Sequence, residues 1–121
     1  MQILTKPGIA YFFGDYSAGT SIAGSATITS SPVDTNYIDP VRASISLVIT
    51  GSTAGNITVK TSANGVTNWA ETYSTTYSAA GTVNIPAATA LNGYGGFFEI
   101  EIEETSTTSG TVVGTLQGLS L

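Results

Sequence analysis

Between Ala43 and Thr50, Ile45, Leu47 and Ile49 alternate with Ser44, Ser46 and Val48. Between Gly96 and Thr105, Phe98, Ile100 and Ile102 alternate with Phe97, Glu99, Glu101 and Glu103. A repeat of two puts one set of side chains on each face of an extended strand. It cannot lay an apolar stripe along a helix, whose period is 3.6 residues. The chain is therefore bound to extended structure with one face in a core. The same β-branched and aromatic runs, cut by Gly, Pro, Asn and Ser, predict further strands over Ile9 to Tyr16, Ser21 to Thr29, Asn56 to Ser62, Val66 to Tyr77, Thr82 to Ile85 and Thr111 to Leu121.

The links between these runs are short. Gly51 to Gly55, Ala79 to Gly81 and Ser106 to Gly110 read as tight connections, and Asn64-Gly65 as a type I′ hairpin turn, because both residues tolerate positive φ. Residues 86–96 form the longest loop, with room for one helical turn at Ala87 to Leu91. About eight short strands at this spacing predict an all-β fold: a single antiparallel β-sandwich, jelly-roll-like or immunoglobulin-like. A length of 121 residues suits one domain. We expect an N-terminal arm or first strand over 1–20 and the sandwich over 21–121.

The residue inventory narrows the chemistry. The chain has no His and no Cys. Ser-His-Asp and Cys-His nucleophile systems, Cys/His zinc sites and disulfides cannot be built from it. Lys and Arg number 3 against 8 Asp and Glu, a net charge of −5. Lys6, Arg42 and Lys60 are too few and too scattered to bind phosphate backbones. No basic-then-apolar leader opens the chain and no apolar run approaches the ~20 residues of a membrane span. We expect no enzyme activity, no cofactor, no nucleic-acid partner and no membrane contact.

Three groups of residues stand out. Glu99, Glu101 and Glu103 fall on one strand face about 7 Å apart. The plain reading is a solvated face or the protection of a sheet edge by charge, and the spacing also suits a cation or subunit contact. Trp69, after the Asn64-Gly65 turn and in phase with Tyr73 and Tyr77, reads as a core anchor or a ligand-stacking ring. Ile9, Tyr11, Phe12 and Phe13 concentrate apolar area near the N-terminus with little charge, and are expected either in the sandwich itself or against a second copy.

The segment Thr61 to Trp69 resembles the S-x-D-G-x-x-W hairpin of carbohydrate-binding and phage tail or capsid sandwich modules, with Asn64 in place of the acid and three residues, not two, between Gly65 and Trp69. With the Ser/Thr/Gly/Ala-rich strands over residues ~20–121, the chain resembles small β-sandwich structural proteins of virus particles, of the bacteriophage capsid decoration or minor capsid type. That resemblance implies an outer capsid decoration (cement) or minor capsid protein on the virion surface, a homo-oligomer (most simply a homotrimer), and a major capsid or other virion protein as partner. The alternative is a carbohydrate-binding module of a tail or fibre, which calls for a groove lined by Trp69 and tyrosines.

Overall fold

A computed structural model describes residues 7–14, 19–36, 38–91 and 96–120. The described chain is nearly all strand: β1 (Pro7–Tyr11), β2 (Thr20–Ile22), β3 (Thr27–Thr29), β4 (Val33–Asp34), β5 (Ile38–Thr50), β6 (Gly55–Ser62), β7 (Ala70–Tyr77), β8 (Gly81–Ile85), β9 (Phe97–Glu104) and β10 (Gly110–Ser120), with one helical turn, α1 (Ala87–Ala90). All pairings are antiparallel. One sheet runs β1-β10-β5-β8, with β2 also on β10. The other runs β3-β9-β6-β7, with β4 also on β9. We call them the first and second sheets. They pack as an antiparallel sandwich, as the alternation predicted.

The expected eight strands become ten because two positions are each filled by two short strands. The run expected over Ser21 to Thr29 is split: β2 lies in the first sheet and β3 in the second, and the chain crosses at Ala23–Ala26 with Ser25 at φ 62. At the β3–β4 break, Ser30 takes over the ladder: its Oγ accepts from the Ile100 N–H at 2.9 Å, and its N–H donates to Ile100 O at 2.9 Å. β5 carries Pro40 near its start, where β10 slips register between Gly118 and Ser120. Strands tolerate proline at such irregularities because no ladder N–H is lost there.

The core lies between the sheets. The first contributes Ile45, Leu47, Ile49, Val112, Leu116, Ile22 and Ile85; the second contributes Ile57, Val59, Phe98, Ile100 and Ile102. The N-terminal aromatics belong to this core. β1 pairs along its length with β10, and just beyond it Phe12 and Phe13 are 4% and 1% exposed. Phe12 meets Phe98 edge-on at 5.3 Å. Two of the four residues expected at a partner contact are thus inside their own sandwich, since the chain turns inward after Tyr11 and fills space that Gly114 leaves open. Ile9 and Tyr11 remain on the outer face, 56% and 44% exposed.

The β6–β7 connection also differs from expectation. Asn64-Gly65 does not form a two-residue turn: Gly65 has φ +74, and the next positive φ is at Asn68. The connection is the seven-residue loop 63–69, organised by the Asn64 side chain. Asn64 Oδ1 accepts from the N–H groups of Val66 and Thr67, both at 2.9 Å, and Ser62 Oγ donates to it at 3.0 Å. The side chain replaces backbone turn bonds, as Asn does in Asx-turns.

Candidate functional site

The outer face of the second sheet carries the acidic residues in register. Glu103 lies between Thr27 and Asn56, Glu101 between Thr29 and Thr58, and Glu99 beside Lys60. Phe98, Ile100 and Ile102, on the opposite face of the same strand, are fully buried. Asn56 Nδ2 donates to Glu103 Oε1 at 2.8 Å, and Lys60 Nζ pairs with Glu101 Oε2 at 3.2 Å. Burial pushes the Glu99 carboxyl above its ordinary value; Lys60 pulls it down and Glu101 pushes it up. Thr58, Ser74, Thr76 and Glu71 complete a shallow polar concavity of about 550 Å³. Two of its carboxylates, Glu103 and Glu101, are held by Asn56 and Lys60, and no aromatic ring lines it. Among the described residues, no group of three or more carboxylates converges closely enough to hold a metal ion.

Trp69 is not in phase with the tyrosines. β7 pairs Tyr73 with Val59 but Glu71 with Lys60, so Thr72 is a bulge residue. One extra residue reverses the alternation. Tyr73 and Tyr77 face the core, whereas Glu71 joins the acidic face, and Trp69, before the strand begins, is half-buried. Thr72 Oγ1 donates to Ala90 O at 2.5 Å and so fastens α1 to the bulge. A smaller groove of about 280 Å³ at this end is lined by Asn68, Ala70 and Phe97 among others, but not by Trp69.

The carboxylate with the most elaborate surroundings is Glu104, which the sequence reading passed over. It is 2% exposed. Its Oε1 accepts from the Ser106 N–H at 2.5 Å and from Ser106 Oγ at 2.7 Å, and its Oε2 accepts from Ser52 Oγ. Since the Ser52 proton goes to Glu104, the Tyr77 hydroxyl, 2.7 Å from Ser52 Oγ, is the donor in that contact. Burial raises the Tyr77 pKa above 10.0, and the Glu104 charge raises it further. Gly55 is fitted to the same ring, because a Cβ there would sit 2.6 Å from the Tyr77 hydroxyl. Alternation was the available signal: Glu104 shares the phase of Phe98, Ile100 and Ile102, not of Glu99, Glu101 and Glu103. The cluster joins the crossings β5–β6 and β9–β10, and hydroxyls extend it through Ser106 to Thr108 at 2.6 Å and Thr108 to Thr53 at 3.2 Å. Every donor and acceptor named in it is consumed in closing one end of the sandwich.

No family model matches the chain, and no curated protein matches its sequence. Solved structures share its fold. The PBSX exported protein XepA matches with a TM-score of 0.57 at 9% identity, over 95% of this chain and 37% of that one. PirA matches at 0.54 and 12% identity, over 92% of each chain. The SPBc2 prophage-derived protein YomS matches at 0.51 and 16% identity, over 98% of this chain and 100% of that one. The present chain thus spans 37% of XepA but the whole of YomS. At such identities the likeness establishes the β-sandwich architecture, which two phage-derived proteins share. Among the described residues, no helix is long and apolar enough to cross a membrane.

Proposed function

We propose that this protein is a structural subunit of a bacteriophage particle, an outer decoration or minor capsid protein present in several copies on a shell protein. Strand order is the observation that carries this reading. β10 lies between β1 and β5, β9 lies between β3 and β6, and every link from β4 onward except β6–β7 crosses between sheets. We read this order as a jelly roll, an architecture common among viral capsid domains. The fold shared with XepA and YomS supports it. The charge of −5 favours a place away from packaged nucleic acid. The role is one of packing, not of catalysis: the buried Glu104 group is spent on loop closure, and of the outer-face carboxylates Glu101 pairs with Lys60 and Glu103 with Asn56. The carbohydrate-binding alternative wants an aromatic-lined groove, and the concavity on the acidic face has none.

The test is to band intact particles on a density gradient and quantify the chain by mass spectrometry, with antibody labelling of unbroken particles. The expected result is co-migration in fixed ratio to the shell protein, with the chain accessible from outside. A chain that stays at the top of the gradient, or is labelled only after particles are opened, overturns the reading.

A further inference from the structure

The two outer faces of the sandwich differ in charge. Among the described residues, the second sheet presents Glu71, Glu99, Glu101 and Glu103 with Lys60 as the one compensating cation. On the outer face of the first sheet, the rows from Thr111–Thr50 to Gln117–Ser44 contain no charged residue among those described. The one ion pair nearby, Arg42 with Asp39 at 3.3 Å, lies beyond the end of these rows. At the centre is the cross-strand pair Val48–Val113, with Val48 44% exposed. Ile9 and Tyr11 extend the apolar area along β1. Neutral polar side chains fill the rest of the face: Thr115 and Ser46 in the Tyr11 row, Thr82 beside Val48, Asn84 beside Ser46. Apolar side chains, a Tyr among them, on a face depleted of charge match the composition of an interface core.

We propose that this face binds the same face of a second copy of the chain, sheet against sheet about a two-fold axis. Charge selects that occupant. In a two-fold contact each patch meets its own likeness. The glutamate-bearing face would set like charges against each other, while the first sheet brings together only neutral groups on chains that otherwise repel at −5 each. Area sets the size class of the contact. Strands ~4.8 Å apart and ~3.3 Å per residue make the face roughly 20 Å on a side. Two such faces bury on the order of 1,000 Å², at the low end for specific association. A contact of that size gives weak, concentration-dependent association. The inference concerns the isolated chain, and does not depend on whether its copies sit on a particle.

Sedimentation velocity of the purified chain from roughly 1 μM to 1 mM tests it. The expected result is a weight-average mass that climbs from one chain towards two, and climbs earlier at high salt, which screens the residual repulsion. Val48→Glu should abolish the rise, while Thr58→Glu on the opposite face should leave it unchanged. Circular dichroism checks that each variant is folded; if Val48→Glu is not, Ser46→Glu, at a polar position of the same face, is read in its place. A chain that stays monomeric to the top concentration overturns the proposal. So does a plateau at three masses, a rise that survives the charge on the first sheet, or one that Thr58→Glu removes.

Discussion

The Phe12 ring occupies the space that Gly114 leaves by having no side chain. A Cβ on Gly114 would lie 2.4 Å from Cε2 of that ring. The ring has no free side to retreat to, because it is 4% exposed and rests edge-on against Phe98, itself fully buried. Gly114→Ala is therefore expected to destabilise the fold by about 1–3 kcal/mol, as overpacked cores do. Phe12→Ala should cost about 3–5 kcal/mol. In urea unfolding, the double variant should lose less than the sum of the two, since removing the ring removes the clash.

Tyr77 reports on Glu104. With its neutral form favoured by burial, its contribution to stability is complete below the ordinary pKa of 10.0 and is lost as pH rises through the raised value. Unfolding midpoints should fall above that pH. Glu104→Gln should lower the Tyr77 titration seen as tyrosinate absorbance, with Tyr77→Phe assigning the signal. Glu104→Ala should destabilise by about 1–3 kcal/mol for each buried partner left without its bond.

Glu99 works in the opposite direction from a paired carboxylate. Burial raises its pKa above 4.5, with Lys60 opposing and Glu101 adding to the rise. Its favourable contribution is present below the ordinary value and disappears as pH climbs through the raised one. Ionised Glu99 thus costs stability at neutral pH. Glu99→Gln is expected to raise the melting temperature at pH 7 and to lose that advantage near pH 4, by calorimetry at the two pH values.

The single tryptophan gives a direct optical check of the bulge. Trp69 is half-buried, so iodide should quench its fluorescence in the native state, though less than after unfolding. Trp69→Ala should cost less than Phe98→Ala, for which about 3–5 kcal/mol is expected at a fully buried ring.

What the sequence made legible follows from period. β5, β6 and β9 each show an unbroken alternation, and the structure places Ile45–Ile49, Ile57–Val59 and Phe98–Ile102 as that alternation requires. α1 falls where a helical turn was expected. What it hid are departures from period. The bulge at Thr72 inserts one residue and shifts Trp69 out of phase with Tyr73, a change no local pattern announces. The loop at Asn64 satisfies a side chain instead of closing a hairpin. β3 and β4 are too short to alternate, and the adjacent Phe12 and Phe13 are both buried because they follow the end of a strand. Of the candidate residues, the glutamate ladder was visible from alternation, and the exposed first-sheet face emerged only once β1, β10, β5 and β8 were seen side by side.

The placement of β10 bears on how the chain is made. β10, of 11 residues, is made after every strand it pairs with, lies inside its sheet and partners β1, β2 and β5. None of those three finds that neighbour until residues 110–120 have left the ribosome. Until then the nascent chain carries the unpaired edges of β1, β2 and β5. Pairing residues as distant as Pro7 and Leu119 also makes the closing step slow by topology. When many copies are made together, the interval before that closure is when strands of neighbouring chains compete for the same edges, and when a holding chaperone would raise the yield most.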